Sequence, residues 1–431
     1  MQIHPNLGAS PIHRKQSSAP PESDRTDSSL KAASAATETR WSPPGRSTVE
    51  LLRYAHALVP TLRDRATETE AARMLPAETI REMKKAGLFG LLQPVRFGGL
   101  ELGFDVLMEI AIELGRGCGS TAWVLIVLNS GWLVAGYPEE AQHDVWGHDR
   151  GAVIGNVLAP SMDVSEVTGG YRLSGSWSFA SGIDHADWEV LSGMTYSNAG
   201  LPEIRLFLLH HSNYEIIDDW RAVGLSGTGS KTVVVKDVIV PYHRSVLLSD
   251  FRSGTQPGGR VHSNPLYRMP IGIAFPLSLP SSVIGLARGA YDCWREWAAN
   301  RLTRGTQRIA EKASVQFMLG EAAAEIDSAE AILRRDMSEA VRAQVRGEPF
   351  TAVHRARNRR DGAYAIKLCV RAVDRLFAAS GAHGLYDASP IHRAWRDVHA
   401  AAAHVGFRWD DAAVNFGKFE FGLGTDNSFF D

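Results

Sequence analysis

Apolar positions recur with helical spacing through residues 47–150. Ile80 and Met83 share a face, Pro76 is expected as the first helical residue, and Gly87 suits the C-terminal stop. Leu107, Ile110, Ala111 and Leu114 form the i, i+3, i+4, i+7 stripe of a half-buried helix, with Asp105 the expected N-cap. The most apolar stretch, Thr121 to Tyr137, is shorter than the ~20 residues of a bilayer span. Asn129, Ser130 and Gly131 interrupt it, so it reads as a buried helix. From Gly151 to Ser245 the helical period fades and turn residues multiply. The runs Trp188 to Leu191, Leu206 to Leu209 and Thr232 to Val240 read as strands of a small antiparallel unit. Beyond a Gly/Ser/Pro-rich connection, helical patterning returns in four segments, 271–303, 307–347, 350–381 and 390–415.

The expected architecture is therefore mostly α with a central β domain. An N-terminal helical domain (47–150) precedes a small antiparallel β domain (151–248), a connection (249–270) and a C-terminal four-helix bundle (271–431). Residues 1–46 are rich in Ser, Pro, Ala and charge and lack an apolar period, so they are expected to form a disordered tail.

Composition narrows the function. Lys+Arg 46 against Asp+Glu 48 argues against a nucleic-acid partner. Cys118, Cys293 and Cys369 lie far apart, form no Cys-x-x-Cys pair and point to a reducing, cytoplasmic location. The N-terminus lacks the apolar run of a secretory signal, and no membrane partner is expected.

Several motifs are decoys. Gly224 to Thr232 nearly spells a phosphate-binding loop, but Ser230 occupies the lysine position and Lys231 comes one residue late. The following residues also read as a strand, where such a loop must open a helix. Glu140 and His143 supply one Glu-x-x-His pair, where a di-iron bundle needs two, so no metal site is expected. Arg355, Arg357, Arg359 and Arg360 read as a solvated helix face. No Gly-x-Gly-x-x-Gly follows a strand, so a nicotinamide-binding domain is not visible.

Two stretches carry chemistry. Gly175 to Leu191 combines aromatics, hydroxyls and a glycine turn, the ingredients of a wall for a flat redox ring. Trp177 and Phe179 read equally well as core of the β domain. Arg393 to Glu420 places Arg396, Asp397, His399 and His404 on an alanine-rich helix.

Together with LPAETIREMKKAGLFGLLQPVRFGG (75–99), STAWV (120–124), GYRLSGSWSFASGIDHADW (170–188), GTGSKTVVVKDVIVP (227–241) and HRAWRDVHAAAAH (392–404), the chain resembles the acyl-CoA dehydrogenase superfamily. The resemblance spans about residues 47–425. It is strongest to the two-component flavin monooxygenases, such as the oxygenase component of 4-hydroxyphenylacetate 3-hydroxylase. It implies reduced flavin (FMNH2 or FADH2) and O2, used through a C4a-hydroperoxyflavin to hydroxylate a small aromatic or heteroaromatic molecule. It also implies a separate NAD(P)H:flavin reductase and a homotetramer.

Site residues follow from the same resemblance. Phe179 falls beside the isoalloxazine ring, Ser181 at flavin N5 and Asn156 in a segment bordering the flavin. Arg301 falls at a flavin phosphate, often across a subunit contact, and His404 beside the C4a position. Ser181 and His404 are the expected catalytic residues, with Trp123 and Trp132 as a substrate wall. Val405 stands where a dehydrogenase carries its glutamate base, and valine accepts no proton. Leu158-Ala159-Pro160 replaces the dehydrogenase Thr-Glu-Pro signature. Asn129 to Trp132 lacks the substrate-side histidine frequent in aromatic hydroxylases. N- or S-oxygenation on this scaffold, or an acyl-CoA dehydrogenase with a displaced base, are the alternative expectations.

Overall fold

A computed structural model describes residues 47–160, 162–302 and 307–424; the expected tail at 1–46 lies outside them. Among the described residues six α-helices come first: α1 (Thr48–Ala72), α2 (Ala77–Ala86), α3 (Phe104–Gly115), α4 (Gly119–Leu128), α5 (Gly131–Val134) and α6 (Glu139–Trp146). Pro76 caps α2 instead of opening it, and Gly87 ends it at φ +82° as its missing Cβ allows. Asp105 is not the cap of α3. Gly103 holds that position, and the Asp105 carboxylate accepts from the Val106 amide inside the first turn. The stretch Thr121–Tyr137 is two helices, because the Asn129 side chain replaces backbone partners at the break. Its amide donates to the Leu88 and Leu125 carbonyls, and its oxygen accepts from the Leu91 N–H.

Eight strands follow: β1 (Ile154–Val157), β2 (Met162–Val167), β3 (Gly170–Ala180), β4 (Trp188–Tyr196), β5 (Pro202–His210), β6 (Glu215–Ile217), β7 (Lys231–Pro241) and β8 (Ser245–Leu247). They form two four-stranded sheets, β1-β4-β5-β8 and β2-β3-β7-β6. The sheets are antiparallel except for β1 and β4, which run parallel with Gly155 opposite Glu189.

Short α7 (Leu248–Ser253) leads to the carboxy-terminal helices α8 (Ile271–Asn300), α9 (Ala313–Arg346), α10 (Ala352–Ser380), α11 (Pro390–Ala402) and α12 (Trp409–Glu420). Helix α8 is long and apolar enough to cross a bilayer, yet 89% of its apolar window is buried inside the protein. It packs closely on α3: a Cβ on Gly285 would come within 2.2 Å of the Ile112 carbonyl oxygen, so only glycine fits. The expected fourth bundle segment is broken between Ala402 and Trp409, and His404 sits in the break instead of on a helix. The arginine run is not simply solvated. Arg357 pairs with Glu339 and Asp336, Arg360 with Asp361, and Arg359 is buried.

Strand β4 is buried on both faces, which leaves Glu189 1% exposed. Neither of its carboxylate oxygens has a hydrogen-bond partner among the described residues. A Cβ on the facing Gly155 would approach Glu189 Oε2 to 2.2 Å. Burial therefore pushes the Glu189 carboxyl well above its ordinary 4.5, and the folded protein holds it protonated. A raised acid contributes stability below its unfolded pKa and loses it as pH climbs towards the folded value. Glu189→Gln keeps the shape and removes the ionisation. Its melting temperature should exceed that of the wild type by a margin that widens from pH 5 to pH 9; parallel melting curves across that range would refute a protonated Glu189.

Candidate active site

The site forms where β3, the loop 224–230, α4, the first turns of α8 and the α11–α12 break converge. Strand β3 ends in a bulge between Trp177 and Ala180. Trp177 is core, donating its indole N–H to the Ser192 carbonyl at 3.0 Å. Phe179, two residues on, has φ +70° and remains 70% exposed. A bulky residue in left-handed geometry costs about 1–2 kcal/mol, and here no burial offsets it. Such strain at an exposed aromatic marks a surface that something else is meant to cover. The Trp220 ring meets Phe179 edge-on at 6.0 Å, widening that surface.

Ser181 follows directly and is buried. Its Oγ accepts from Trp123 Nε1 at 3.3 Å and lies 2.7 Å from Ser230 Oγ, which lies 2.7 Å from Thr228 Oγ1. Thr228 donates to the Leu225 carbonyl at 2.7 Å. Asp184 and His185, in the same stretch, are structural: Asp184 pairs with Lys231 Nζ at 2.7 Å, and His185 bonds the Leu75 carbonyl at 3.1 Å. The stretch that imitated a phosphate loop makes a short 3-10 turn, Ser226–Thr228, and runs straight into β7.

His404 opens the 3-10 turn Val405–Phe407, and its Nδ1 accepts from the Gly406 amide at 3.1 Å. Trp123 (5.8 Å), Phe275 (5.6 Å) and Phe407 (5.3 Å) surround the imidazole, and Phe275 stacks on Phe407. Burial lowers the His404 pKa to about 4. At neutral pH the ring is therefore neutral, and with Nδ1 accepting, the proton resides on Nε2. His404 is thus a hydrogen-bond donor through Nε2 and does not titrate near neutrality.

Beside it lies an apolar cavity of about 50 Å³, lined by Phe104, Trp132, Leu133, Leu158, Phe275 and neighbours, with Ser130, Asn156 and Ser278 as its polar groups. Its lining contains no acidic or basic side chain. Asn156 Nδ2 donates to Ser130 Oγ at 2.7 Å, and Ser130 donates to the Val127 carbonyl at 2.7 Å. A benzene ring occupies a cavity of roughly 150 Å³, so admitting an aromatic molecule requires these side chains to move apart. Trp132 lines this cavity; Trp123 does not, and instead joins Ser181 to His404.

Arg301 is not brought to the site. It caps the far end of α8, beside Trp297 and hydrogen-bonded to His383. Twenty-six residues separate it from Phe275, about 39 Å along a helix. Sequence reasoning missed Thr228, Ser230 and Phe275. The hydroxyl-rich GTGSKT was the available signal for the first two.

The residues present suit a flavin: a strained, exposed aromatic wall, a hydroxyl near its edge, and a neutral imidazole packed against a wall of an apolar cavity. The acyl-CoA dehydrogenase N-terminal domain model matches residues 54–148 and the C-terminal domain model residues 277–409. Over 370 residues the chain is 35% identical to the flavin-dependent monooxygenase oxygenase subunit HsaA of Rhodococcus jostii (strain RHA1), covering 85% of this chain and 97% of that protein. It is 37% identical over 388 residues to the FADH(2)-dependent resorcinol hydroxylase oxygenase component of Rhizobium sp. (strain MTP-10005), covering 87% and 95%. The structure of XiaF from Streptomyces sp. in complex with FADH2 and glycerol superposes with a TM-score of 0.83 at 29% identity, covering 93% of this chain and 99% of that one. The chain belongs to the acyl-CoA dehydrogenase superfamily and, within it, to the oxygenase subunits of flavin-dependent monooxygenases.

Proposed function

We propose that this protein receives reduced flavin from a separate NAD(P)H:flavin reductase and uses O2 to hydroxylate a small aromatic or heteroaromatic molecule. The observation that carries the reading is the neutral His404 imidazole packed on Phe275, which lines an apolar cavity without a carboxylate. Such a pocket holds no base for thioester dehydrogenation. It does provide what oxygen chemistry at a flavin requires, which is exclusion of water and a fixed hydrogen-bond donor.

Reduced flavin, when bound, supplies the electrons that activate dioxygen; the chain supplies position and dryness. Phe179 and Trp220 would form the wall for the ring, with Ser181 towards N5. His404 Nε2 would offer a hydrogen bond at the ring's reactive edge, while Trp123, Phe275 and Phe407 would keep water from it. Trp132 and its apolar neighbours hold the substrate. Ser130 commits its hydrogen to Val127, and Asn156 spends its amide protons on Ser130 and Val127. Asn156 Oδ1 is left as an acceptor for a substrate hydroxyl or N–H, which fits a relative named for resorcinol. Arg301, remote within its own chain, fits a flavin phosphate only across a subunit contact, in keeping with a tetramer. The three free thiols, each with its pKa raised by burial, suit a cytoplasmic setting.

The decisive experiment mixes the protein anaerobically with reduced FMN or FAD, adds oxygenated buffer and a panel of phenols, indoles and thioethers, and measures hydroxylated product and hydrogen peroxide. Aromatic product is expected; sulfoxide alone, or oxidised flavin bleached by an acyl-CoA in a parallel anaerobic mixture, would sink the reading. His404→Ala should lower product per flavin oxidised about tenfold, the worth of one strong hydrogen bond, with a matching rise in peroxide. Because His404 is neutral well above pH 4, coupling in the wild type should stay flat from pH 6 to pH 9. A transition near pH 6.5 would contradict the neutral imidazole. Phe179→Gly removes the strained φ with little loss of buried area, so it should melt no lower than wild type while binding reduced flavin several-fold more weakly. Unchanged flavin affinity would remove Phe179 from the cofactor wall.

A further inference from the structure

The hydroxyl chain behind Ser181 has a direction, and it can be derived link by link. The Leu225 carbonyl can only accept, so Thr228 spends its single hydroxyl proton there, at 2.7 Å. Thr228 Oγ1 must then accept from Ser230, 2.7 Å away, which spends the Ser230 proton. Ser230 Oγ in turn must accept from Ser181, also at 2.7 Å. The indole N–H of Trp123, a donor only, takes one Ser181 lone pair at 3.3 Å. Ser181 therefore has no proton to offer the cleft and one lone pair that remains.

The loop carrying this chain is anchored to α11. The Leu225 amide donates to the buried Asp397 carboxylate at 2.6 Å, and Arg396 donates to the Val223 carbonyl at 2.8 Å. A Cβ on Gly224 would come within 2.2 Å of the Arg396 carbonyl oxygen.

We infer that Thr228 and Ser230 are positioning residues that polarise Ser181 into a hydrogen-bond acceptor, so that the site selects reduced over oxidised flavin. Reduced isoalloxazine carries a hydrogen on N5 and donates; oxidised N5 has a lone pair and only accepts. The first is satisfied by Ser181 and the second is opposed by it. The inference rests on the proposed placement of N5 beside Ser181 and adds what sets the redox state that binds.

The test is anaerobic measurement of dissociation constants for reduced and oxidised FAD and FMN, in wild type, Ser230→Ala, Ser230→Thr and Thr228→Val, each checked for native circular dichroism. Wild type should bind the reduced form more tightly. Ser230→Ala frees the Ser181 proton to turn towards the cleft, so the ratio of oxidised to reduced dissociation constants should fall about tenfold. For a two-electron couple this equals a drop of about 30 mV in the midpoint potential of the bound flavin. Thr228→Val should lower the ratio in the same direction, and Ser230→Thr, which keeps the hydroxyl, should restore it. An unchanged ratio in Ser230→Ala, or equal weakening of both redox forms, would overturn the inference. A wild type that binds reduced flavin without preference would also overturn it and leave the proposed function standing. A wild type that binds neither form would instead remove the proposed function itself.

Discussion

The hydrogen bond from the Leu225 amide to the Asp397 carboxylate is the contact on which the site's geometry depends. It joins α11 to the loop that leads into β7. Burial raises the Asp397 pKa to about 6, and the Leu225 amide works against that rise. Around it, Arg393 reaches Glu70 and Thr67 on α1, and Arg396 reaches Glu70 and the Val223 carbonyl. Helix α11 is thereby fixed at once to the amino-terminal helices and to the β region. Its last turn sets where the chain breaks, and so where His404 stands.

From that clamp two consequences run to the same cleft. Through the loop, Leu225 orders Thr228, Ser230 and Ser181. Through the helix, the break at Ala403 aims His404 among Trp123, Phe275 and Phe407. Trp123 closes the circuit, its N–H on Ser181 and its ring against the imidazole. A buried polar network of this kind is costly when any member lacks a partner, and here each hydroxyl proton has a defined destination. Low dielectric then keeps the histidine neutral, so one physical cause, exclusion of water, sets both the protonation state and the chemistry the pocket can support.

Much of this was legible in the chain. The change from helical spacing to strand-like runs and back marked the β region, and β4, β5 and β7 contain the runs expected from Val, Ile and Leu. Gly87 announced a helix end because its missing Cβ permits φ +82°. Ordered motifs named Phe179, Ser181 and His404 as candidates, and in the fold Ser181 and His404 both contact Trp123. Other features were not legible. Asp105 looked like a cap, but caps depend on where the backbone turns. The parallel pairing of β1 with β4 joins segments far apart in sequence.

The amino-acid sequence by itself determined the element types, the aromatic and hydroxyl composition of the cleft, and the absence of a base at Val405, because these are properties of local pattern and side-chain chemistry. Only the tertiary structure decided which way the hydroxyl protons point, that His404 is neutral, that Trp123 bridges while Trp132 lines the cavity, and that Arg301 lies remote from the cleft of its own chain. Those outcomes depend on burial and on partners supplied by distant segments, and no local pattern encodes the distance between residues 123, 181, 230 and 404.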